Sequence, residues 1–132
     1  MATLDYALLA EYARIDATGL ATIVGGSFDR VRVSGTSGVQ STYVVLRVLL
    51  DEAEDDTSFE VSIEPPSKTY SLQVAGTTSR NPDAVPVDGR LGVVVVIGAS
   101  VPLPEPGRYV AKVTLAGRHV QDLPFMVDFA EQ

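Results

Sequence analysis

The chain has 132 residues, a formal net charge of -7 at pH 7 and no cysteine. That is the size of a single domain whose core needs no disulfide staple, and it leaves no thiolate for nucleophilic or metal chemistry. The acidic balance repels phosphate backbones and anionic lipid, so neither nucleic acid nor membrane is an expected partner.

Residues Met1 to Asp5 carry no basic region, and no apolar run approaches the length of a bilayer, so the chain is expected to be cytoplasmic, without signal peptide or anchor. Leu4, Leu8, Tyr12 and Ile15 have the spacing of an amphipathic helix, but Tyr6, Leu8, Ala10 and Tyr12 also alternate as in a strand. The following Asp16-Ala17-Thr18-Gly19 favours the strand, because a glycine in the left-handed region closes a hairpin into Leu20 to Gly26. Gly25-Gly26 then lets the chain bulge or bend before Phe28-Asp29-Arg30.

Ser34 to Ser41 is polar and reads as a loop. Tyr43 to Leu50 is apolar on both faces, which predicts a central strand covered on each side or one with an oligomer contact on its outer face. Asp51 to Ser58 reads as an acidic loop. Phe59, Val61 and Ile63 alternate with polar residues, as do Tyr70, Leu72 and Val74, with Pro65-Pro66-Ser67-Lys68 as the turn between two antiparallel strands. Gly76 to Arg90 is irregular and, by length, the expected functional loop. Val93 to Ile97 is a second doubly apolar run. Tyr109 to Leu115 and Leu123 to Phe129 form a C-terminal hairpin around Ala116-Gly117-Arg118-His119. The sum is an all-β antiparallel β-sandwich, immunoglobulin-like or jelly-roll-like, of about 7-9 strands, filling residues 1–132 as one domain.

Ala10-Glu11-Tyr12-Ala13, Asp16, Gly19, Leu20 to Gly26 and Phe28-Asp29-Arg30 together resemble a family of small bacterial and phage-associated β-sandwich proteins of unknown function. Pro106-Gly107-Arg108-Tyr109 and Ala116-Gly117-Arg118 extend that resemblance to the end of the chain. It implies a fold and carries no activity or catalytic residues with it.

Arg30 and Arg32 fall on one face if the strand resumes after the bend, and with Asp29 they form a candidate anion or carboxylate clamp. The plainer alternative has Asp29 accepting backbone hydrogen bonds while Arg30 pairs with it, Glu11 or Asp16. Asp51, Glu52, Glu54, Asp55 and Asp56 supply oxygen enough for calcium but not the spacing that wraps one ion, so they also read as a solvated loop. His119, the single histidine, reads as an exposed turn residue, since no nucleophile motif accompanies it. No cofactor is expected. The function expected is a non-enzymatic protein-interaction or structural module that engages a protein partner or itself. The alternative is a ligand-binding sandwich, for carbohydrate or calcium, using residues 51–56 or exposed tyrosines among Tyr6, Tyr12, Tyr43, Tyr70 and Tyr109.

Overall fold

A computed structural model describes residues 1–130. Among them are nine strands and no helix: β1 (Thr3–Ile15), β2 (Ala21–Gly26), β3 (Arg30–Ser34), β4 (Gly38–Asp51), β5 (Asp56–Glu64), β6 (Leu72–Ser79), β7 (Arg90–Leu103), β8 (Gly107–Leu115) and β9 (Arg118–Ala130). They form two sheets, one in the order β2-β1-β4-β7 and one in the order β3-β9-β8-β5-β6. No helix of the described residues is long and apolar enough to cross a membrane.

Alternation explains how the sheets meet. Leu9, Val44, Leu46, Val48, Leu91 and Ile97 face inward from the first sheet, and Val61, Ile63, Tyr109, Val113, Phe125 and Val127 from the second, into one shared core. Three turns pass through the left-handed backbone region. Gly19 takes φ +82°, Lys68 sits at φ +57° in the β5–β6 turn, and Ala116 and Gly117 take +48° and +77° between β8 and β9. Positive φ at both central residues suits a two-residue hairpin turn.

The antiparallel expectation fails at one pair. The chain crosses from one sheet to the other after β2, and β3 then lies parallel to β9, with Val31 opposite Val127 and Val33 opposite Phe129. Strand alternation is the same for either direction, so the crossover left no trace in the pattern. Three expected loops are also shorter. Gly38 to Ser41 belongs to β4, Asp56 to Ser58 to β5 and Gly76 to Ser79 to β6.

β4 is central, as its two apolar faces predict, but β7 is an edge strand. Its second apolar face has another cause. β1 pairs with β4 only as far as Ala10, and from there to Ile15 it pairs with β2 alone. The tip of this hairpin, Thr18 to Leu20, shares a cleft with Arg47 and with Gly92 to Val94. Arg47 lies opposite Tyr6, near the start of β1, so the hairpin has turned back over the outside of its own sheet. Small residues permit the close approach: Ala10, Ala13 and Val45 are buried together, with Ala21, Val94 and Val96 packed against them.

The Asp16 carboxylate pins the hairpin tip. It accepts hydrogen bonds from the Thr18 amide at 2.9 Å, the Thr18 hydroxyl at 2.6 Å and the Leu20 amide at 3.1 Å. The Thr18 hydroxyl and then the two amides hold its carboxyl below the usual aspartate range. A depressed folded-state value means the contribution is complete above a pH of about 4 and is lost as pH falls through the folded value. We expect the Thr18 and Leu20 amides to lose exchange protection in that acid window while core amides keep theirs. An Asp16 midpoint by NMR at or above the ordinary aspartate value would contradict the turn.

Candidate functional site

The parallel crossover decides what becomes of the Phe28-Asp29-Arg30 segment. Arg30 stands opposite Met126 of β9, and Arg108 of β8 stands opposite the same Met126 from the other side. The two guanidinium-bearing residues therefore flank one methionine. Asp29, Arg30, Arg108, Pro124, Phe125 and Met126 line a shallow hollow of about 320 Å³. Arg32 is exposed like Arg30, two residues along β3 and opposite Asp128.

Arg30 pairs with the carboxylate of Asp128, not with Asp29, Glu11 or Asp16. Asp29 acts through its main chain: its carbonyl accepts the Met126 amide at 2.8 Å and so starts the β3–β9 ladder. The Arg30 side chain is 61% exposed, and an ion pair that wet contributes little to stability. A guanidinium pair over an apolar floor suits a carboxylate chemically. Arg108 escaped the sequence reading because nothing in the pattern ties β8 to β3, and Arg108 lies 78 positions after Arg30.

The acidic segment divides between two strand ends and a turn. Asp51 ends β4, where its carboxylate meets the Met1 ammonium and lies 3.2 Å from Arg90 Nε. The hydrogen bond from that ammonium holds the Asp51 carboxyl below the ordinary range. Glu54 accepts the Asp51 amide at 3.0 Å, the leading cause of its own depressed value, and lies 3.1 Å from the Met1 ammonium. Glu52 and Asp55 use their main-chain carbonyls, which accept from Arg80 at 2.8 and 2.9 Å. Asp56 opens β5. Among the described residues no group of three histidine, aspartate or glutamate side chains is placed to hold a metal ion.

The tyrosines part company. Tyr109 is fully buried, stacked on Phe125, and its hydroxyl donates to the Glu105 carbonyl at 2.8 Å. Tyr70 donates to the Pro102 carbonyl, and burial pushes its phenol up to about 12. Tyr12 and Tyr43 meet edge to face at 5.4 Å on the outside of the first sheet, where the Tyr43 ring lies over Gly98. His119 is exposed, its Nε2 lying 2.7 Å from Asp122.

The folded-back hairpin is the feature the sequence reading undervalued. Tyr12, Ile15, Leu20, Ile23 and Val24 are each between 37% and 64% exposed, a density of wet apolar side chains found on no other element. β2 is an edge strand, exposed along most of its length, and Ala21-Thr22-Ile23-Val24-Gly25-Gly26 contains no charge and no proline. Natural edges are ordinarily blunted by charge, proline or brevity. β3 follows that rule with Arg30 and Arg32 in five residues, and β7 has Pro102 near its end; the edge strand β6 is also free of charge and proline, but none of its large apolar side chains is exposed. The signal was available in the apolar, uncharged run after Gly19, but only the sheet order reveals it as an edge. Beside the tip, residues of the 80–89 loop, among them Arg80, Asn81 and Ala84, complete a cleft of about 410 Å³.

No curated protein matches the chain. A family model described as a family of unknown function (DUF6941) matches residues 5–128, from within β1 to near the end of β9. The match takes in the hairpin, the crossover and both sheets, and the chain belongs to that family.

Proposed function

We propose that the protein is a non-enzymatic interaction module that binds protein through its folded-back β1–β2 hairpin. One observation carries the reading: wet apolar side chains concentrate on a hairpin whose outer strand is an uncharged sheet edge. Such an edge offers unpaired main-chain donors and acceptors together with side-chain area, which is how β-strand addition recognises a partner. The Tyr109 hydroxyl, bonded back to the Glu105 carbonyl, supports placing the two-sheet arrangement among immunoglobulin-like sandwiches, a common binding scaffold.

The reading is tested by affinity capture from native lysate with three baits. Wild-type protein and Arg30→Ala are expected to retain the same prey, because Arg30 lies on the other sheet. Thr22→Lys/Val24→Lys is expected to lose it, since both positions are exposed on β2 and take charge without entering the core. Prey retained by the double variant would remove the hairpin from the interaction, and prey lost with Arg30→Ala would move it to the Met126 hollow.

A further inference from the structure

We infer that the β2 edge takes a second copy of this chain, strand against strand in antiparallel register about a two-fold axis at Ile23. The inference rests on the hairpin being an interaction surface and names its occupant. Three observations favour a copy over a foreign strand.

The first is symmetry. An antiparallel pair related by a two-fold axis is isologous, so any edge strand supplies its own complement. The axis must pass through a residue and not between two, because it preserves the faces of the sheet and side chains alternate. Gly25 leaves the regular strand region at φ +62°, so the extended part of β2 is short. An axis at Thr22 would draw Leu20, a turn residue, into the ladder. An axis at Ile23 keeps the pairing within Ala21 to Gly25, with Thr22 opposite Val24 of the second copy.

The second is charge. Each copy carries -7, and general self-repulsion opposes association. The charges flanking β2 along the hairpin are of mixed sign: Glu11 and Arg14 on β1 and Asp16 in the turn after it. Arg14 stands opposite Thr22 and Tyr12 opposite Val24. In the Ile23 register Arg14 therefore shares its rung with Tyr12 of the second copy. The Glu11 side chain lies over Gly25, whose rung leads through Ala21 to Ile15 of the second copy. No rung sets like charge against like charge.

The third is apolar continuity. Pairing at Ile23 sets Ile23 directly against Ile23 of the second copy on one face and brings Val24 diagonally across from Val24 of the second copy on the other, so exposed apolar side chains meet across the seam on both faces. The product is a four-stranded ribbon, β1-β2-β2-β1, lying across two molecules. A contact of one short strand and its flanks falls at the small end of interface sizes, so the dimer is weak and reversible, with Kd of about 1–100 µM.

Sedimentation of wild-type protein across that range is expected to show a monomer–dimer equilibrium. Thr22→Lys/Val24→Lys sets ammonium groups on facing positions and is expected to raise Kd at least about 10-fold. The chain has no cysteine of its own, so single-cysteine variants read the register directly. Under mild oxidation Ile23→Cys is expected to cross-link to itself faster than Thr22→Cys, and Val85→Cys, at an exposed position in the 80–89 loop, not to cross-link at these concentrations. Because the Ile23→Cys arm needs no charged variant to fold, equal cross-linking of all three, or none at Ile23→Cys, overturns the inference. A wild-type monomer throughout the range, or a dimer unmoved by the lysines, does so too. If that monomer still captures a different protein in a lysine-sensitive way, self-pairing is overturned while the interaction-surface reading stands.

Discussion

Phe125→Ala is expected to destabilise the protein by about 3–5 kcal/mol and to lower Tm by roughly 10–20 °C. Phe125 is 1% exposed, stacked on Tyr109 at 5.4 Å with planes 24° apart and met edge-on by Phe28 at 5.8 Å. Truncation removes two aromatic contacts along with the transfer energy of a full ring, and neighbours held in two rigid sheets cannot close over the space. The position has a further consequence, because Phe28 belongs to the crossover that carries the chain from β2 to β3. With its partner gone, the amides of β3 should lose exchange protection before those of β5 or β8. Phe125→Leu, which keeps much of the volume, should cost only about 1–2 kcal/mol. Urea unfolding of the three proteins tests this; a Phe125→Ala loss under about 1 kcal/mol would mean the ring is not where the core needs it.

What the sequence made legible was local. Gly19, Lys68 and Ala116-Gly117 mark turns because their backbone or neighbours demand them, and Phe59 to Ile63 alternates because one face of β5 is buried. Non-local relations were hidden. Val93 to Ile97 reads as a strand covered on both sides, and it is, but its outer cover is a hairpin from the other end of the chain rather than another layer of sheet. Arg30 was visible as an exposed cation, whereas its neighbours Arg108 and Asp128 depend on β9 standing between β3 and β8. Glycines held part of this information. Gly92 and Gly98 are bare because the Arg47 and Tyr43 side chains lie across them, a pattern readable only once β4 and β7 are known to pair.

Gly107→Ala is expected to cost about 2–4 kcal/mol, more than its place as the first residue of β8 would imply. Two demands coincide there. Its φ of +127° lies where a side chain is strained in any surroundings, and a Cβ would stand 2.8 Å from Cγ of Pro66. The proline ring cannot swing aside as a flexible chain end would. Pro66 itself is held because the neighbouring Ser67 amide donates to Glu105 at 2.8 Å; the Ser67 side chain and then this amide keep the Glu105 carboxyl below its usual range. The turn between β5 and β6 is thus docked on the turn leading into β8, and Gly107 is the point of closest approach. Gly117→Ala separates the two demands, since Gly117 has a positive φ of +77° but open space around it, and should cost only about 1 kcal/mol. Adding Pro66→Ala to Gly107→Ala should recover part of the loss, because residues in contact do not act additively. Unfolding curves in which Gly107→Ala is no worse than Gly117→Ala would reduce the site to backbone strain alone. The expected excess makes Pro106-Gly107-Arg108-Tyr109, a sequence common to many β-domains, a specific contact in this one.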